Sequence, residues 1–117
     1  MFILHRMRVL VLETDGYAYK KPIVYYGSSV SQGGCASHAG NAYQAILSRE
    51  LKCDHINLGF SVSCFGAPLM AKYIAGLDML AFVLDYDYNA TSVEHLRKMY
   101  CAKLCGQYKS TPCCRVK

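Results

Sequence analysis

Two adjacent serines follow a short apolar segment near the start of the chain. Residues 23–26 are Ile-Val-Tyr-Tyr, and Gly27 leads from them into Ser28, Ser29 and a loop rich in Gly and Ser. A serine on a tight turn after a strand is a candidate nucleophile if a base and oxyanion donors lie nearby. An ordinary Gly/Ser connection is the alternative, and the pattern leaves both open. A phosphate-binding loop is disfavoured, because residues 27–34 lack the Lys of a P-loop and the spacing of a dinucleotide fingerprint.

Three histidines are candidate bases for such a serine. His38 lies nearest to Ser29 in the sequence, His55 precedes a predicted strand, and His95 falls on a predicted helix face that we expect to be solvated. An ordinary structural position accounts for each of them, since a nucleophile and its base must meet within hydrogen-bond distance. We therefore expect none of the three to serve as the base.

Four thiols near the carboxyl end form a second candidate site. Cys101 and Cys105 are followed by the adjacent pair Cys113 and Cys114. Four thiolates can hold zinc, but this spacing is irregular and neighbouring cysteines are awkward ligands. We predict no metal site and no cofactor.

The same segment differs in charge from the rest of the chain. The net charge of +5 arises from +6 over residues 96–117 and −1 over residues 1–95. Such a break in both Cys content and charge is typical of a frame change or a premature end, and we interpret residues 99–117 as an atypical basic, Cys-rich tail. A tail that binds metal or nucleic acid is the weaker alternative, so we predict no nucleic-acid partner.

The remaining pattern alternates strands and helices. Strands are predicted over residues 23–26, 56–60 and 80–84, the last covered on both faces, and each is followed by a helical pattern. This order predicts a parallel sheet with right-handed crossovers, so the three strands end at one edge. That edge would gather Ser28 and Ser29, residues 61–63 and residues 87–89.

The helical patterns carry their own signals. We predict a first helix over residues 41–52, capped by Ser37 or Asn41, and a second from Pro68 to Gly76. A third begins at a capping box over residues 91–94. The apolar stripes expected to face the core are Tyr43, Ile46, Leu47 and Leu51 in the first helix and Met70, Tyr73, Ile74 and Leu77 in the second.

Length and composition indicate one globular domain. The 117 residues are 53% hydrophobic and 18% charged, and no run approaches the length that crosses a bilayer. We divide the chain into a lead over residues 1–21, which holds a predicted strand at 7–13 and is interpreted as the remnant of a preceding β segment, a core over 22–98 and the tail over 99–117. We expect a cytoplasmic protein without a membrane partner.

Three ordered blocks resemble the GDSL or SGNH hydrolases. They are residues 26–34 (Tyr-Gly-Ser-Ser-Val-Ser-Gln-Gly-Gly), 56–61 (Ile-Asn-Leu-Gly-Phe-Ser) and 82–90 (Phe-Val-Leu-Asp-Tyr-Asp-Tyr-Asn-Ala). The resemblance covers about residues 21–97. It implies a three-layer α/β/α, flavodoxin-like fold with a parallel sheet, here incomplete, and esterase, lipase or carbohydrate-deacetylase activity.

The resemblance also implies roles for individual residues. Ser29 matches the nucleophile, and its backbone N–H would be one oxyanion donor; Ser28 stands where many members have Asp. Asn89 matches an Asn whose amide is a second donor. Val62 stands at the usual position of an oxyanion Gly, and a β-branched residue resists the backbone angles that Gly reaches freely.

One block of the family is absent from the sequence. Members carry a final Asp-x-x-His block that supplies the base and orients it, and no such spacing occurs in this chain. We therefore expect a truncated and inactive version of a serine ester hydrolase whose partner is a small ester or an acylated sugar. The alternative is a non-catalytic binding module for such a ligand. Exposed strand edges would favour self-association.

Overall fold

The computed structural model describes residues 16–86 and 89–95. Several expectations concern residues outside these ranges: the strand in the lead, the zinc ligands, the frame change, and the contribution of Asp87 to the sheet edge. Within the described part, no helix is long and apolar enough to cross a membrane.

Three parallel strands form the sheet, as predicted. Strands β1 (Ile23–Gly27), β2 (His55–Gly59) and β3 (Ala81–Asp85) lie in the order β2-β1-β3. Both pairings are parallel, and Gly27 is in register with Gly59 and with Asp85. The three carboxyl ends therefore stop at the same level of one edge.

Three α-helices that lie wholly within the described residues accompany the sheet. Helix α1 (Ser29–Gln32) follows β1 directly, α2 (Tyr43–Leu51) precedes β2, and α3 (Pro68–Ala75) precedes β3. Helix α3 begins at Pro68 and is capped by Gly76, which confirms its sequence signals. The predicted cap of α2 is wrong, because its N-cap is Ala42 and makes no side-chain bond. The Asn41 amide instead donates to Ser37 Oγ over 3.0 Å.

The predicted apolar face of α2 is also wrong, except at Tyr43, which packs against Tyr25 of β1. Ile46, Leu47 and Leu51 are 43%, 40% and 49% exposed among the described residues, whereas Gln44 is fully buried. Gln44 Nε2 donates to the Ser31 carbonyl oxygen over 2.6 Å. This bond to α1 fixes the rotation of α2 about its axis, so a polar contact overrides the apolar period.

The face of α3 agrees with the prediction except at Tyr73. Ile74 is fully buried, and Met70 and Leu77 pack against the core. Tyr73 is 53% exposed. Successive residues of an α-helix point about 100° apart, so a side chain next to the centre of a buried stripe can face solvent.

Side chains on the two faces of the sheet contact different helices. Val24 and Tyr26 belong to the core cluster that contains Ile74 of α3. Tyr25, which alternates with them along β1, contacts the Tyr43 ring of α2 edge-on, with ring centroids 5.6 Å apart. Helices α2 and α3 thus cover opposite faces, and the fold is a partial three-layer α/β/α arrangement, as the resemblance implies.

Strand β3 is less covered than predicted. Phe82 is buried, but Ala81, Val83 and Leu84 are half-buried in the described part of the chain. Within the same residues, β2 and β3 each pair on one side, with β1. Their outer edges are the surfaces on which the predicted self-association would depend.

Two glycines allow α1 to lie directly on the ends of the strands. A Cβ at Gly27 would overlap Ser31 Oγ and the Asp85 carbonyl oxygen, and a Cβ at Gly59 would lie 2.6 Å from the Ser31 carbonyl carbon. Real Cβ atoms do not approach other atoms this closely, so both positions require glycine for steric reasons.

We predict that Gly59→Ala destabilises the chain by about 2 kcal/mol or more, because the added methyl group meets backbone that cannot rotate away. Urea unfolding followed by circular dichroism measures the change. Gly40→Ala is the matched control, since a Cβ there meets its nearest atoms at 3.9 Å. A Gly59→Ala chain as stable as the control would show that α1 can move off the sheet at little cost.

Because the phenol of Tyr26 is buried, the stability of the fold is expected to fall at alkaline pH. Burial, together with a hydrogen bond to the Cys64 thiol, raises the Tyr26 pKa far above its usual value of 10, and burial also raises the Cys64 pKa. An acidic group with a raised folded-state pKa stabilises the fold below its unfolded-state pKa and loses that effect as the pH rises. We predict that the free energy of unfolding falls above about pH 9, and less steeply in Tyr26→Phe. Equal slopes for the two chains would contradict this.

Candidate active site

The carboxyl ends of the strands bring the predicted site residues to one edge. Ser28 and Ser29 follow β1, a 3-10 turn at Ser61–Ser63 follows β2, and Asn89 follows β3. The Asn89 amide contacts the loop that contains this turn. The topology predicted from the sequence therefore does place these three segments together.

Ser29 is held by the backbone around Ser28. Ser28 is fully buried and caps α1: its N–H donates to the Asp85 carbonyl oxygen over 3.1 Å, and its Oγ accepts from the Val30 N–H over 3.3 Å. Ser29 is the exposed first residue of α1. Among the described residues, neither its hydroxyl nor its N–H has a hydrogen-bond partner, so both are free to meet a substrate.

A cluster of polar groups bonds α1 to the end of β3 and to α2. Ser31 is fully buried, and its Oγ donates to Asp85 Oδ2 over 2.7 Å. The Tyr43 hydroxyl lies 3.5 Å from the same Oγ, and Gln44 Nε2 donates to the Ser31 carbonyl oxygen. Burial is the main cause that raises the Tyr43 pKa, which keeps the phenol neutral. Helix α1 is thus bonded to both β3 and α2.

Sequence reasoning missed this cluster. The sequence did contain an indication of the cluster, because Asp85 comes directly after the apolar residues of β3 and is the first acid at the strand end. Buried charged groups are normally paired. An acid at that position therefore needs a donor from a neighbouring loop, and Ser31 supplies it.

Val62 lies in the turn after β2 and is 75% exposed. The sequence suggested that Val would strain the backbone there. In the described residues, positive φ outside glycine occurs at Lys52 and at Ser61, where φ is 35°, and not at Val62. Val62 itself therefore does not take the left-handed angles that favour Gly, because the left-handed residue of this turn is its neighbour Ser61. No described group accepts the Val62 N–H.

Asn89 is fully engaged with the same loop. Its Nδ2 donates to the Ser61 carbonyl oxygen over 2.5 Å and to the Cys64 carbonyl oxygen over 3.2 Å. A side-chain amide has two N–H donors, so both are used. In this structure Asn89 therefore holds the loop over residues 61–64, and it could donate to an oxyanion after giving up one of these bonds.

None of the described histidines contacts Ser29. His38 is exposed, with Nδ1 3.1 Å from Ser37 Oγ. The His55 ring packs edge-on against Tyr25, with ring centroids 6.4 Å apart. Its Nδ1 is buried without a partner among the described residues.

His95 differs from its prediction. It is half-buried, its Nε2 lies 2.7 Å from the hydroxyl of the buried Tyr86, and the two rings stack. The solvated helix face expected for His95 is therefore wrong. The capping box is also shifted by one residue, because the His95 N–H donates to Ser92 Oγ over 3.0 Å and the bond does not involve Thr91.

A cavity of about 290 Å³ opens beside Ser29, and we name it the Ser29 cavity. It lies between the end of α1 and the start of α2, and the side chains that shape it include Val30, Cys35, Ala36 and Tyr43.

Within residues 16–86 and 89–95, no group of three His, Cys, Asp or Glu side chains could hold a metal ion.

We predict that Asn89→Asp loosens the loop over residues 61–64. The substitution sets a carboxylate oxygen against two carbonyl oxygens in place of two N–H donors, and each hydrogen bond lost is worth about 0.5–1.5 kcal/mol. Hydrogen exchange should therefore quicken in peptides covering residues 61–66. In the matched control Asn57→Asp, the oxygen that accepts from the Gly59 N–H is kept, so exchange should stay as it was. Equal exchange in both variants would show that Asn89 does not hold this loop.

The comparisons with known proteins agree with this fold. A family model for the GDSL-like lipase/acylhydrolase family matches residues 20–112. A 1.40 Å crystal structure of a candidate GDSL-like lipase from Bacteroides ovatus ATCC 8483 superposes with a TM-score of 0.68 at 35% sequence identity. The match covers 81% of this chain and 29% of that one, and no curated protein sequence matches. The chain belongs to the GDSL-like lipase/acylhydrolase family.

Proposed function

We propose that this chain carries the nucleophile and the oxyanion donors of a serine ester hydrolase that acts on a small ester or an acylated sugar. The observation that carries the proposal is the state of Ser29. Its hydroxyl and N–H are unpaired within the described residues, while α1 beneath it is fixed by buried bonds from Ser31 to Asp85 and Gln44. A serine whose hydroxyl bonds to no other described group, and whose backbone is held rigidly, suits nucleophilic attack.

The proposed reaction has two steps. Ser29 Oγ bonds to the acyl carbon of the ester while its proton passes to a base, and the C–O bond to the alcohol then breaks as the alcohol takes up that proton. Water, deprotonated by the same base, attacks the acyl-Ser29 ester. The acyl–Oγ bond breaks, and the proton returns to Ser29.

The oxyanion of each tetrahedral intermediate needs donors at the sheet edge. The Ser29 N–H and the Val62 N–H have no partner among the described residues, and the Asn89 amide becomes a donor by releasing Ser61 or Cys64. One donor is typically worth about 100- to 1,000-fold in rate. Because the Asn89 amide must first break one of these bonds, its contribution to the rate is smaller.

The base is the part of the site that the described residues do not provide. His38 is directed to Ser37 and His95 to Tyr86, and the Asp-x-x-His block of the family is absent from the sequence. General-base assistance contributes about 100- to 10,000-fold. We therefore propose that this chain, whose match spans 29% of the structural relative, is inactive or nearly so by itself.

A binding module without turnover is the second candidate. The bonds that occupy both Asn89 donors favour it, because a preformed oxyanion site would leave a donor free. In that case the edge would bind an ester or an acylated sugar and release it unchanged.

We predict negligible hydrolysis of p-nitrophenyl acetate by the chain alone and partial recovery when imidazole is added as an external base. Imidazole takes the Ser29 proton, Oγ bonds to the acetyl carbon, and p-nitrophenolate leaves. Peptide mass spectrometry should find the acetyl group on Ser29, formed at least about tenfold faster than on other serines.

Ser29→Ala removes the acceptor and should lose this labelling, while the matched control Ser63→Ala changes an exposed serine of the neighbouring turn and should keep it. Ester binding without acetylation of Ser29 would favour the binding module. Hydrolysis without imidazole that disappears in Ser29→Ala would instead show that the chain contains its own base.

A further inference from the structure

We infer that the Ser29 cavity holds the acyl group of the substrate, and that this group is uncharged and has no more than about ten carbons. The inference rests on the proposed role of Ser29, because it concerns the substrate of that site. The cavity has a volume of about 290 Å³ and includes Ser29 in its wall. A substituent on a carbonyl carbon bonded to Ser29 Oγ would therefore begin at its mouth.

The volume limits the length of the acyl group. At about 30 Å³ for each water in the liquid, the cavity corresponds to roughly ten water volumes. Pockets for drug-sized ligands span about 300–1,000 Å³, so this one lies at the lower end. Because a methylene group fills about as much space as a water, the cavity suits an acyl group of up to about ten carbons and not a long fatty acyl chain.

The lining determines the charge of the acyl group. None of the described residues around the cavity is charged, and most are small or apolar. Apart from Ser29 and Cys35, its polar side chains have protein contacts: the Asn41 amide donates to Ser37, and the Tyr43 hydroxyl lies near Ser31. A carboxylate placed here would lose hydration without gaining a positively charged partner, which is costly.

The acyl side of the ester fits this position better than the alcohol side. The acyl group remains bonded to Ser29 Oγ after the alcohol leaves, so it must occupy a space beside Ser29 through both steps. The Ser29 cavity is such a space and is built from the segments that hold Ser29. The alcohol must depart and needs access to solvent.

Cys35 provides a direct probe of occupancy. Its thiol is exposed and lies in the cavity wall, so a bound ligand shields it from alkylation by iodoacetamide. Peptide mass spectrometry separates Cys35 from the other cysteines. Ethyl butyrate and butyl acetate are isomers that carry their longer chain on the acyl and the alcohol side respectively, and monomethyl succinate carries a charged acyl group.

Ethyl butyrate should slow the alkylation of Cys35, by about threefold at twice its dissociation constant. Butyl acetate and monomethyl succinate should protect Cys35 clearly less at the same concentration. Equal or better protection by butyl acetate would show that the cavity holds the alcohol group. Equal protection by monomethyl succinate would contradict the inference that the acyl group is uncharged. No protection by any ester would overturn the inference altogether.

Two leucine substitutions separate the cavity from the nearby surface. Ala36→Leu fills the cavity and should abolish the effect of ethyl butyrate on Cys35, whereas Ala39→Leu, at an exposed position of the neighbouring turn, should keep it. Protection that persists in Ala36→Leu would place the ligand elsewhere. If Ala36→Leu does not fold, the comparison of isomers in the unsubstituted chain still decides.

The protection assay is independent of the proposed chemistry. Ser29→Ala removes only the hydroxyl, so protection of Cys35 should survive in it while acetylation is lost. Protection without acetylation in the unsubstituted chain would refute the nucleophile and leave an uncharged binding cavity. Acetylation of Ser29 without protection of Cys35 would refute the cavity and leave the nucleophile.

Discussion

The close approach of α1 to the ends of β1 and β2 is the constraint on which the rest of the site depends. Gly27 and Gly59 are in register on neighbouring strands, and a side chain at either would displace α1. Because α1 begins one residue after Ser28, its contact with the strand ends fixes the direction of the Ser29 hydroxyl and N–H. The conformation that exposes Ser29 is thus a consequence of packing beneath it.

The end of β3 connects both loops that form the edge. The Asp85 carbonyl oxygen accepts from the Ser28 N–H, and the Asp85 carboxylate accepts from Ser31, so the loop after β1 is bonded to β3 twice. Four residues later, Asn89 bonds to the loop after β2. The three sequence blocks are therefore one hydrogen-bonded unit, in which the third block holds the other two.

Local pattern was enough to predict the strands and their common edge. Runs such as Ile23–Gly27 bury successive side chains on both faces of a parallel sheet, and each predicted strand lies within one residue of its observed position. A sequence pattern cannot weigh one buried polar contact against an apolar stripe. Gln44 shows this, because its bond to Ser31 turns Ile46 and Leu47 of α2 towards solvent.

The candidate site residues could be predicted where the residue type alone indicates the chemistry. They could be predicted less well where the chemistry depends on the hydrogen bonds that a side chain makes. Ser29 and Asn89 followed from their blocks, but the engagement of the Asn89 amide depends on the carbonyl groups that surround it. The same distinction separates the donors from the base. Two of the proposed oxyanion donors, the N–H groups of Ser29 and Val62, are backbone groups that the segments after the strands position, whereas a base must be brought to the nucleophile from another element. In residues 16–86 and 89–95 the histidines contact Ser37, Tyr25 and Tyr86, so these residues do not supply the base that the proposed reaction requires.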